Sequence, residues 1–108
     1  MGILSNQRLV KQPSEKRKFA MEFNNLLDTS ETVDSITSVS AVKIDGSTSD
    51  LTLSSSAIET STVSSKNSLV TFWIDGGTTG NTYRLEVLVE TSASAKLGGD
   101  GILYVTDR

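Results

Sequence analysis

Residues 69–90 read LVTFWIDGGTTGNTYRLEVLVE. Val70, Phe72 and Ile74 fall on one row of the first half, and Leu69, Thr71 and Trp73 on the other. Tyr83, Leu85, Val87 and Val89 form one row of the second half. Arg84, Glu86 and Glu90 form its opposite row, with Leu88 as an apolar intruder. A rhythm of two is the signature of extended chain with one face buried. Gly76, Gly77 and Gly80 stand between the two runs and give the backbone the freedom a sharp link needs. We read the segment as two strands of opposite sheets joined by a turn that crosses the sandwich edge. Tyr83 opens the second strand, where a tyrosine-corner hydroxyl bonds back to loop backbone in immunoglobulin-type sandwiches.

Working outward, ITSVSAVKI at 36–44 is dense in β-branched residues and alternates. Ile36, Ser38, Ser40 and Val42 are assigned to one face; Val39, Ala41 and Lys43 to the other. Leu51–Leu53 reads as a short strand, 54–57 as a bend, and Ile58 and Val63 as residues with something to bury. Phe19, Met21 and Phe23 alternate as a strand does, although Phe19, Phe23, Leu26 and Leu27 also fit a short helix with Ser14 as its cap. The strand is preferred because no helical period continues downstream, and 24–27 becomes a turn with a buried plug. Gly98, Gly99 and Gly101 suggest a second loop before a closing strand, ILYVTD. The count is about seven strands with turn signals between them and no helix long enough to connect parallel strands. The expected fold is all-β: an immunoglobulin-like antiparallel β-sandwich at residues 17–108, led by an extended N-terminal arm at 1–16. An eight-stranded jelly roll or a small barrel is the alternative.

Composition narrows the chemistry. The chain has 108 residues, the size of one domain, with 36% hydrophobic and 6% aromatic residues, so its core must be thin. It has no Cys and no His, which removes disulfides, the common zinc and haem sites, and Ser-His or Cys-His relays. GGTTGNT lacks the Lys of a phosphate-cradling loop and enters a strand rather than a helix. Glu86 and Glu90 share a strand face but stand roughly 13 Å apart, too far for a hydrolytic pair. Asp45, Asp50 and Asp100 read as solvated turn residues; a calcium site would need their loops to meet at one end. We expect no enzyme activity, no cofactor, no metal and no small-molecule substrate. No stretch is apolar enough to span a membrane, and MGILSNQRLVK lacks the apolar run of a secretory leader. Asn6 and Gln7 stand where a myristoylation pattern asks for Ser or Thr.

What remains is surface. Residues 1–22 carry five basic side chains against two acidic, a net +3 on a chain of net −3. A basic leader on an acidic body suits contact with an acidic partner or a neighbouring copy, or is simply a soluble terminus. Nucleic acid is a poor fit, because no ring precedes Phe19 and the body is acidic. If Val70, Phe72 and Ile74 face the core, Trp73 faces out. Trp73, Leu88 and one row of 102–105 would then make an apolar patch, met by another subunit or covered by the chain itself. The candidate interface is Leu9, Lys11, Pro13, Arg17, Trp73 and Leu88. Gly76, Gly77, Gly80 and Tyr83 are structural turn residues.

The runs KQPSEKRKFAMEFNNLL, ITSVSAV and LVTFWIDGGTTGNTYRLEVLVETSA resemble a family of small structural proteins of tailed bacteriophage virions. The matching positions are Pro13, Phe23, Trp73, Gly76, Gly77, Thr78, Gly80, Tyr83, Val87 and Val89, and the likeness covers nearly the whole chain. LGGDG near the C-terminus departs from the plan. The resemblance implies an immunoglobulin-like fold and a place in the virion, assembled in the host cytoplasm. Its leading functional expectation is a capsid decoration or cement protein, bound to capsid neighbours through the arm and one sheet face in a homo-oligomer or symmetric array. The alternatives are a neck, tail or fibre accessory protein, and a carbohydrate- or host-surface-binding module.

Overall fold

The structure, a computed structural model, describes residues 8–107, with side chains from Leu9 onward. The alternating runs become strands packed as two sheets. In chain order the strands are β1 (Arg8–Lys11), β2 (Lys16–Glu22), β3 (Val33–Lys43), β4 (Leu51–Thr60), β5 (Asn67–Gly76), β6 (Thr82–Thr91) and β7 (Lys96–Val105). One sheet has the order β1-β7-β6-β3 and the other β2-β5-β4. Consecutive strands therefore change sheet at several links, and β5 and β6 do so across the glycine turn. All pairs are antiparallel except β1 with β7, which is parallel.

The core lies where the two inner faces meet. Val70, Phe72 and Ile74 of β5 are buried against Tyr83, Leu85, Val87 and Val89 of β6 and Leu103 and Val105 of β7. Met21 and Phe23 close one end and Val33 joins them there. Burying such side chains stabilises a fold by about 1.5–3 kcal/mol each, which in a thin sandwich is most of the driving force.

Four local expectations change. Ile36 shares the inner face with Val39 and Ala41, because a bulge between Ile36 and Ser38 inserts one residue and flips the alternation. Residues 54–57 are a bulge within one continuous β4, with Ser55 at φ 54, rather than a bend between elements. The loop before the last strand is short: β7 already begins at Lys96 and runs through the glycines. A Cβ at Gly99 would stand 2.6 Å from Met21 Sδ and 3.3 Å from Phe23, so this glycine makes room for the core plug rather than a turn. Residues 24–26 form one 3-10 turn in which Leu26 is exposed and Leu27 packs on the core; the buried plug is Phe23.

Residues 8–11 of the segment expected as an arm are a sheet strand, edge-paired to β7 from Arg8↔Ile102 to Lys11↔Val105. Residues 1–7 of that segment lie outside the described residues.

Candidate interface surfaces

The chain reverses between β1 and β2 in a turn with Pro13 at its second position. Glu15 N–H donates to the Gln12 carbonyl at 3.1 Å, and Glu15 Oε1 accepts from Gln12 N–H at 2.8 Å. Proline's fixed φ suits that position. Lys11, expected on an exposed contact arm, is instead fully buried. Its alternation in β1 turns it inward, and its amine donates to the carbonyls of Gln12 at 2.7 Å and Glu15 at 2.6 Å. The ammonium thus caps the inner side of the turn. Burial pushes its pKa down, opposed by the negative charges of Asp75 and Glu15. Leu9 also turns inward and packs on the core. Neither residue offers a free surface.

Trp73 does face outward, on the β2-β5-β4 sheet, between Lys18 of β2 and Ser54 of β4. It is half-buried, with Lys16 Nζ 6.0 Å from its ring centroid. Lys18 Nζ pairs with Glu59 at 3.0 Å, and Thr71 Oγ1 donates to the same carboxylate at 2.8 Å. Arg17 is exposed and stands 3.7 Å from Glu15. Leu88 is 37% exposed on the outer face of the other sheet, where it lies over Gly98. The two outer faces point in opposite directions, so Trp73 and Leu88 do not form one patch. Further along the same outer face, Ile102 and Tyr104 of β7 stand opposite Arg84 and Thr82, while Leu103 and Val105 are core.

The glycine turn is built as a brace. Gly76, Gly77 and Gly80 take φ of 85, 98 and 87, values that side chains rarely adopt. At Gly77 a Cβ would also stand 2.9 Å from Val105 and 3.0 Å from Leu51. The buried Tyr83 hydroxyl accepts from Thr78 N–H at 3.1 Å and donates to Asp50, whose other oxygen accepts from Thr78 Oγ1 at 2.6 Å. This small network ties the 77–81 loop to the start of β4. Thr78 and Tyr83 hold the Asp50 carboxyl below the usual carboxylate range.

The other two aspartates, read as solvated turn residues and weighed for a calcium site, are placed apart from Asp50. Asp45 serves its own turn, accepting from Ser47 N–H at 2.9 Å and Ser47 Oγ at 2.6 Å, which lowers its pKa. Asp100 is mid-strand, opposite Glu86 and away from the loops. Among the described residues no group of three carboxylates is placed to hold a metal ion, and no helix is long and apolar enough to cross a membrane.

Two polar clusters at the opposite end were not read from the sequence. Glu22 accepts from the hydroxyls of Ser61 and Ser68 and from Asn24 N–H at 3.1 Å. Glu31 accepts from Thr91 Oγ1 and from Asp28 N–H at 2.9 Å. Both are buried loop anchors. They explain part of the Ser/Thr abundance, since each hydroxyl satisfies a carboxylate held out of water.

The arrangement is that of a braced sandwich offering two outer faces, four strand edges and two loop ends. No curated protein and no solved structure matches the chain. A sequence model of the family described as Podophage GP4 fiber-tail adaptor protein gp77 matches residues 11–99, from the last residue of β1 into β7. The chain belongs to this family and is a structural component of a phage virion.

Proposed function

We propose that the chain is a non-enzymatic adaptor that joins fibre to tail in a podophage virion. The observation that carries this reading is the family match over residues 11–99, which takes in nearly the whole sandwich. It favours the tail and fibre position over the capsid decoration role that led the sequence reading. The fold suits the task. An adaptor needs no reacting group; it needs a stiff body with separate surfaces for two neighbours. The outer faces carrying Trp73 and Leu88 point away from each other, so one can hold tail and the other fibre without competing. Arg17 lies on the other row of β2, in register with Ile74 and exposed beside Glu15, while Lys18 shares the Trp73 row; Leu9 and Lys11 act from inside, by fixing β1 and its turn.

The strand order suits an immunoglobulin-like sandwich. β2-β5-β4 corresponds to strands B-E-D and β7-β6-β3 to G-F-C, with the first strand moved to the G edge. A carbohydrate-binding module would want aromatic rings at a loop end. Here Trp73 and Tyr104 lie within strands, and Phe72 and Tyr83 are core.

The test is depletion and add-back. Particles assembled without this chain should have tails but lose their fibres, and purified protein should restore fibre attachment. Fibres that stay in place, with capsids that burst more easily, would favour the capsid role instead.

A further inference from the structure

The two sheets leave four strand edges among the described residues. β1 begins at Arg8, at the limit of those residues, and of the other three edges two are blunted. β2 exposes Lys16, Arg17 and Lys18 along its length. β4 is interrupted by the bulge at 54–57, with Ser55 at φ 54. Short length, charge and bulges are the devices by which edges resist pairing. β3 is less blunted: its bulges, like that of β4, lie in the pairing with its sheet neighbour, but it has no residue of positive φ. It is eleven residues long, has neither Gly nor Pro, and is uncharged from Ser35 through Val42. At its end the chain folds back locally, with Lys43 N–H donating to the Ser47 carbonyl and a bridge from Val42 to Thr48. Along 35–41 no strand pairs on that side among the described residues.

The surroundings of this edge mix apolar side chains with three serine hydroxyls. A depression between the sheets, lined by Val39, Leu53, Ser54–Ser56 and Phe72, opens beside it. An added strand would send alternate side chains into that space, the geometry of strand addition to a sheet edge. Val42 (38% exposed) and Ile44 (61%) lie on and just beyind β3, and Leu88 (37%) stands opposite Ser38 on the next strand.

We propose that this edge takes the same edge of a second copy, β3 against β3 in antiparallel order about a two-fold axis. Charge selects this occupant. Asp34 begins the strand and Lys43 ends it, with nothing charged between. Antiparallel self-pairing brings each Asp34 end toward the partner's Lys43 end, whereas parallel pairing would set like beside like. The two four-stranded sheets become one continuous sheet. The proposal stands on the strand edge and not on the adaptor reading, and it is tested without tail or fibre.

The experiment is sedimentation equilibrium on the purified full chain over micromolar concentrations. Wild type should be a dimer whose amides at 37–41 are protected from exchange. Ser40 is exposed on the outer side of β3, so Ser40→Lys should leave the strand circular dichroism and thermal midpoint unchanged while weakening the dimer by at least about tenfold. Ser40→Glu should do the same, and an equimolar mixture of the two should dimerise again. Val42→Glu gives a second variant on the same seam. A wild-type chain that stays monomeric throughout overturns the proposal. So does a dimer that Ser40→Lys and Val42→Glu leave intact, since it must use another surface.

Discussion

Tyr83 is the residue at which sequence, fold and rigidity meet. Its ring fills the core at the start of β6, and its hydroxyl links the 77–81 loop to Asp50. Tyr83→Phe keeps the ring and removes both bonds. It should cost about 1–2 kcal/mol in urea unfolding, because the Thr78 amide and Asp50 lose a partner. Gly77→Ala should cost about 1–3 kcal/mol, since it combines a positive φ with a clash against Val105 and Leu51. The carboxylates give a pH signature. Asp45, Asp50, Glu22, Glu31 and Glu59 all have lowered pKa values in the folded chain. Their folded values lie below the unfolded ones, so the unfolded state binds more protons as pH falls. Stability from this source is present above the unfolded values of about 4 and is lost as pH drops through the folded ones. Lys11 acts at the other end: its folded pKa is also lowered, so stability rises as pH climbs through that value toward the unfolded value of about 10.4. Urea midpoints measured across pH should fall in acid, and Asp50→Asn should make that fall shallower.

At the scale of elements, β5 and β6 were legible because both bury one face against one core, so their two-residue rhythm is clean. β3 and β7 were less so. A single inserted residue at 36–38 moves Ile36 to the inner face, and no local sequence signal marks a bulge between β-branched residues. The glycines of β7 read as a turn by composition. Their use at Gly99 depends on Met21 and Phe23, which lie far away in sequence. Lys11 was misplaced for a similar reason: lysine reads as surface, and two carbonyls of its own turn are what make its burial tolerable. The partners of Tyr83 divide the same way, Thr78 being close in the chain and Asp50 33 residues before it. β1 changes what truncation should do. Removing residues 1–11 strips the parallel partner of β7 and the packing of Leu9. Differential scanning calorimetry should show a midpoint at least ~5 °C lower, where removal of a detached arm would leave it unchanged.

For the molecule as a whole, the proposed adaptor role asks the two opposed faces to hold two neighbours at fixed separation. Stiffness is then part of function, and the Tyr83–Asp50 brace and the buried carboxylate anchors supply it at the two ends. Variants that soften the body without touching the surface, such as Tyr83→Phe, should bind tail or fibre proteins nearly normally when cool and lose fibres on warming. The most direct measurement is a cryo-electron microscopy reconstruction of the particle in which this chain is located by difference from particles lacking it. The account predicts density for the sandwich at the joint between tail and fibre, with one outer face on each. Density on the capsid shell, away from any fibre, would contradict it.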